Sequence, residues 1–109
     1  MKRVILESPY AGDVERNIKY ARECVKDSLR RGESPIASHL LYTQEGILND
    51  SIKEERRLGI DAGLAWREVA EAHVFYIDLG LTPGMQTALK YATSNELEVT
   101  IRWLYKNSY

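Results

Sequence analysis

The chain carries a single cysteine, Cys24, so it has no internal disulfide to staple it. Cys24 sits at helical spacing among apolar positions and reads as a small core hydrophobe, not a nucleophile. With only two histidines beside that thiol there is no close His/Cys cluster, and no metal is expected. Three prolines and seven glycines exclude collagen-like and low-complexity sequence, and a 44% hydrophobic share excludes disorder. Neither sign of charge dominates: 15 Lys+Arg against 16 Asp+Glu leave −1. A chain so balanced has no general attraction for a polyanion, so a nucleic acid polymer is not an expected partner. A small anionic ligand held by local groups stays open. Long apolar runs are missing too. Val4-Ile5-Leu6, after Lys2 and Arg3, is too short for a signal-peptide core or a membrane span. No membrane partner and a cytoplasmic location are therefore expected. One domain over 1–109 uses up the length, and so short a chain has trouble enclosing a cavity alone. A homodimer or higher homo-oligomer is expected to complete any site.

What is present is an alternation of strand and helix. The apolar run 3–6 ends at Ser8-Pro9 and reads as a buried strand of a parallel sheet. Tyr10-Ala11-Gly12-Asp13 turns into a helix capped by Asp13, with Val14, Ile18, Ala21, Val25 and Leu29 as its stripe. Arg30, Arg31 and Gly32 end it. A second strand is predicted over 34–40, with His39 near its end, then a polar loop over 41–49. Loops of this length in small domains are often functional. Asp50 or Ser51 caps the next helix, whose stripe is Leu58, Ala62, Ala65 and Val69. Gly59 and Gly63 bare one side of it, which predicts a close approach there by another backbone or by a second subunit's helix, with Trp66 beside it. A third strand over 73–78 ends in Asp78. The turn through Gly80, Thr82, Pro83 and Gly84 leads to a helix over 85–93, and a last strand is predicted over 98–104 before a polar tail over 105–109.

This pattern predicts a small doubly wound, Rossmann- or flavodoxin-like α/β fold: a parallel sheet of about four strands, order 2-1-3-4, with helices on both faces. Ligands of such sheets bind beyond the carboxyl ends of the strands where the order reverses, here between strands one and three. The residues leaving those strands are Ser8, Pro9, Tyr10, Ala11 and Gly12, and Asp78, Thr82, Pro83, Gly84 and Met85. Both turns open helices whose free amides favour a phosphate or carboxylate. Neither turn matches a dinucleotide fingerprint or a Walker loop.

Val4-Ile5-Leu6-Glu7-Ser8-Pro9-Tyr10 and the run Val69-Ala70-Glu71-Ala72-His73-Val74-Phe75-Tyr76-Ile77-Asp78 resemble the nucleoside 2-deoxyribosyltransferase-like family. Thr82-Pro83-Gly84-Met85 through Tyr91-Ala92 resembles the loop and helix that come next there. The sequence is closer still to small phage and bacterial members that share Ser8-Pro9-Tyr10-Ala11-Gly12 and the helix with Glu54-Glu55-Arg56, Gly59-Ile60, Ala62-Gly63 and Trp66. The resemblance runs from residue 2 to about 104. It implies a pocket for a deoxynucleoside or nucleotide, and enzymes of that family cleave or transfer the N-glycosidic bond with a glutamate in the helix after strand three. Ala88 stands at that position here, and 79–95 holds no Glu or Asp. The resemblance therefore implies a pocket without its covalent step.

The first functional expectation is thus a binder of a nucleotide or nucleotide-derived signalling molecule. Among phage relatives this implies an anti-defence protein of the host-cell cytoplasm that sequesters a cyclic nucleotide or cyclic ADP-ribose-type immune signal, with no cofactor. Ser8 and the amides of residues 10–12 would hold polar ligand atoms, Tyr10 would stack on a base, and Thr82 with the amides of Gly84 and Met85 would hold phosphate. Arg57, at a helix start beside the rim, is a further phosphate ligand. The alternative is an N-glycosidase-like or other nucleotide-cleaving enzyme with relocated chemistry: Asp78, Glu7, Glu54 or a carboxylate from a second subunit as base or nucleophile and His39 as acid–base. A structural or interaction module is the third reading.

Overall fold

The computed structural model describes residues 1–105. Its elements are β1 (Lys2–Glu7), α1 (Val14–Arg30), β2 (Glu33–Ile36), the one-turn α2 (Ser38–Leu41), α3 (Lys53–Ala65) continued by a 3₁₀ turn (Trp66–Glu68), β3 (Ala72–Tyr76), α4 (Pro83–Ser94) and β4 (Val99–Arg102). The four strands form one all-parallel sheet in the order β2-β1-β3-β4, as the alternation predicts.

Side chains alternate across a strand, and each face has its own cover. Val4 and Leu6 of β1 and Ala72, Val74 and Tyr76 of β3 form the main core with Tyr20 and Cys24 of α1. Cys24 is fully buried, and desolvation pushes its thiol up to about 12, so it is an inert core residue. On the other face Ile5, His73 and Phe75 are buried, as are Met85, Ala88 and Ala92 of α4. Right-handed crossovers put α4 on that face, opposite α1, while α3 packs against α2 and its own 3₁₀ turn.

The caps follow local chemistry. Asp13 accepts the Arg16 amide at 3.2 Å to start α1, and Gly32, at φ +85°, ends its turn. Thr82 caps α4 through the Met85 amide, with Pro83 in the first turn. The start of α3 differs from the expectation: Ile52 occupies the cap position, and the Asn49 side chain instead takes the Ser51 amide at 3.0 Å. β2 is shorter than 34–40. The chain turns after Ala37, and His39 lies on α2, not on a strand. β4 likewise covers less than 98–104. Within the tail, Tyr105 is described and residues 106–109 lie outside the described residues.

Gly63 shows what the bare side of α3 is for. A Cβ there would stand 2.5 Å from Ser38 Oγ and 2.9 Å from Ser38 Cβ, and one on Gly59 would meet Leu48 at 3.2 Å. The close partner of Gly63 is Ser38 of the chain's own α2. Among the described residues no helix is long and apolar enough to cross a membrane.

Candidate functional site

β1 delivers the chain to Ser8 and Pro9, both buried, and then to Tyr10, which is half-buried. Asn17, buried one turn into α1, anchors the loop between them. Its side-chain amide donates to the carbonyls of Tyr10 and Ala11, at 3.0 Å each. These two bonds tie the loop to the helix and hold the Tyr10 ring at the mouth of an open cleft of about 720 Å³. The opposite wall is the segment after α2, with Thr43, Leu48 and Asp50, and the first turn of α3, with Glu55. A smaller lobe of about 120 Å³ shares Tyr10 and those four residues, and adds Ser38, His39, Tyr42, Arg56, Gly59 and Ile60.

Internal bonds order the far wall. Thr43 Oγ1 donates to the His39 carbonyl at 2.6 Å, the Leu48 amide donates to the Tyr42 carbonyl at 3.1 Å, and Glu55 accepts the Asn49 amide at 2.7 Å. The lining is acidic through Glu45, Asp50 and Glu55, with Arg56 as the cation at the smaller lobe. His39 Nε2 lies 2.6 Å from Ser8 Oγ. Burial drives the imidazole down to about 4, so it is neutral at neutral pH and each ring nitrogen has a defined donor or acceptor role.

A model for one family matches the chain over residues 2–102. The chain belongs to the family described as Domain of unknown function (DUF7768). No curated protein and no solved structure matches it.

In this DUF7768 chain the sequence-predicted site residues separate into two groups. Tyr10 and His39 line the cleft, with Ser8 bonded to His39 and Pro9, Ala11 and Gly12 in the same loop. The second group faces elsewhere. Asp78 accepts from Tyr20 Oη at 2.5 Å and from the amides of Leu104 and Tyr105 at 2.6 and 2.9 Å. Burial alone would raise its pKa, but those hydrogen bonds outweigh it and hold the carboxyl below the usual range. Thr82 spends its oxygen on the Met85 amide, Pro83 and Gly84 are exposed beside it, and the Met85 side chain is buried beneath α4. Arg57 pairs with Asp61 at 3.3 Å on the exposed side of α3, while its neighbour Arg56 reaches the cleft. Glu54 is exposed at the start of α3 and is not among the lining residues. Sequence reasoning does not mark Asn17, Thr43, Asp50 or Glu55 as site residues, although Asp50 is read there as a helix cap and Glu55 as part of a helix motif. The length of the 41–49 loop was the signal for the wall, and a polar residue beside the apolar stripe of α1 was the signal for Asn17. Among the described residues no group of three His, Cys, Asp or Glu side chains is arranged to hold a metal.

Glu7 occupies the other face of the sheet. Burial pushes its carboxyl up to about 7, offset in part by the charge of Arg67, which itself stacks 3.9 Å above the Tyr91 ring. His73, on the same face, is fully buried with neither ring nitrogen bonded, and desolvation and then Arg67 hold its pKa down. Linkage sets the sign of the Glu7 effect. The unfolded chain ionises near 4.5 while the folded one resists until about 7, so stability is lost as pH rises through that window. Glu7→Gln should therefore stabilise the fold by about 2 kcal/mol at pH 8 and leave it nearly unchanged at pH 4. Urea titrations at the two pH values measure this, and an equal effect at both would refute it.

Proposed function

We propose that this chain binds a nucleoside-type small molecule, nucleotide-derived, in the cleft between the Tyr10 loop and the 43–51 segment. The observation that supports it is the chemistry of the lining: one aromatic ring at the mouth, carboxylates along one wall and a single cation at the far lobe. A base stacks on Tyr10. Ribose hydroxyls and base N–H groups donate to Asp50, Glu45 and Glu55, which repel phosphate, so a phosphate group faces Arg56. The resemblance to deoxyribosyltransferase-like proteins supports the same ligand class. With Ala88 at the position of that family's glutamate, the reading favours holding the ligand over cleaving its glycosidic bond.

The test is a panel of nucleosides, nucleotides and cyclic nucleotides screened by thermal shift, with denaturation and chromatography of whatever is retained. Intact ligand supports binding without chemistry, whereas released base shows cleavage. Absence of any shift or retention across the panel would overturn the reading. Tyr10→Ala should weaken binding of a positive ligand by about 1–3 kcal/mol, the range for one stacking ring, measured by calorimetry. Unchanged affinity would remove the cleft mouth from the site.

A further inference from the structure

We propose that the outward face of α3 is the contact surface between two copies of this chain, paired antiparallel about a two-fold axis level with residue 62. This pairing is independent of which ligand the cleft takes. α3 runs for 13 residues without a single buried side chain, although it carries Leu58, Ile60 and Leu64, which are 59%, 46% and 41% exposed. Its inner side is spent on α2 and the segment after it, where Gly63 lies against Ser38 and Gly59 against Leu48 and Tyr42. On the outer side Lys53, Arg57, Ile60, Leu64 and Glu68 recur at three- and four-residue spacing, and all five are exposed. That spacing is the seam of a helix pair.

Charge selects the occupant and its direction. In an antiparallel pair Ile60 of one copy lies opposite Leu64 of the other, so four aliphatic side chains meet at the axis. The same register sets Arg57, which also pairs with Asp61 of its own helix, within one residue of the partner's Glu68 in the 3₁₀ turn that follows α3, and the two-fold repeats that contact at the other end. A parallel pair would instead oppose Arg57 to Arg57 and Glu68 to Glu68, a like-charge arrangement. The surface is thus complementary to itself in one orientation, as an isologous contact requires. The near-neutral chain, at −1, adds little net repulsion. Arg56 and Ile60 also line the smaller lobe of the cleft, so the second copy would stand along its rim.

Sedimentation velocity of the full chain over a wide concentration range tests the proposal. Twice the chain mass, dissociating on dilution, is expected. Leu64→Glu should give a monomer with an unchanged far-ultraviolet circular dichroism spectrum, while Leu58→Glu, on the same helix but off the seam, should stay dimeric. Arg57→Glu and Glu68→Arg should each raise the dimer dissociation constant about tenfold, and both changes in one chain should restore it. The restoration keeps the test decisive should Leu64→Glu fail to fold. A wild-type monomer at every concentration, a dimer lost with Leu58→Glu but kept with Leu64→Glu, or a double variant no better than the singles each overturns it. So does a chain that stays monomeric alone and sediments only with anionic phospholipid vesicles.

Discussion

Arg102→Met should cost about 3–5 kcal/mol of stability, the largest loss expected from any single change described for this chain. Arg102 closes β4 and reaches Glu33 at the start of β2, so one side chain links elements on opposite edges of the sheet. Its guanidinium donates through two nitrogens to the two carboxylate oxygens of Glu33, and one of them also donates to Tyr76 Oη at 3.0 Å. Ser28 Oγ donates to Glu33 at 2.7 Å, and Tyr76 Oη donates to Asp27 at the same distance. The pair is 9% and 12% exposed. Truncating one partner strands the other charge out of water, which is the expensive case. Replacing both, as Arg102→Met with Glu33→Gln, should recover a large part of the loss. The Arg102 hydrogen bond holds the Glu33 carboxyl below its usual range, so this contribution is present above about pH 4.5 and lost as pH falls through the lowered value. Urea denaturation of the two variants measures it. A single-variant loss below about 1 kcal/mol would mean that the network is not coupled to the fold.

Asp78→Ala should cost about 3 kcal/mol, from three hydrogen bonds to a charged acceptor lost together and their donors left partly buried. The Tyr20 hydroxyl is central, since it donates to the carboxylate and accepts the Asp78 amide at 3.0 Å. Asp78 thereby joins α1, the end of β3 and the chain leaving β4. A role in ligand chemistry would predict the opposite pattern, a stable variant with lost binding. Thermal denaturation and ligand titration of the same variant separate the two. A melting temperature within about 1 °C of wild type would sink the structural assignment, given that 1 kcal/mol moves a domain of this size by about 4–8 °C.

The strand order was legible because its signals are local. Val4-Ile5-Leu6 and Val74-Phe75-Tyr76-Ile77 are unbroken apolar runs, and Asp13 and Thr82 announce helix starts within a few residues. α2 was not legible, since four residues cannot display a helical period and Ser38-His39-Leu40 continues the alternation of a strand. The cleft was displaced from its expected place for a related reason. Strand order alone puts the crevice between β1 and β3, but there the polar groups are already bonded to partners remote in sequence: Asp78 to Tyr20, 58 positions away. The Arg102–Glu33 pair spans 69 positions and was equally invisible. Gly59 and Gly63 signalled close approach correctly and left its partner, Ser38, unspecified.

The absence of any buried side chain on α3 has a bearing on how the molecule breathes. Opening α1 would expose the Tyr20 and Cys24 core and approaches global unfolding in cost. In a single copy, opening α3 exposes little apolar surface that is not already wet, so α3 and its 3₁₀ turn form the first unit to detach, at a fraction of the global free energy, while α2 stays tied to the core through Leu40. The cleft therefore has one wall anchored to the most protected part of the molecule, through Asn17, and one wall drawn from the least protected.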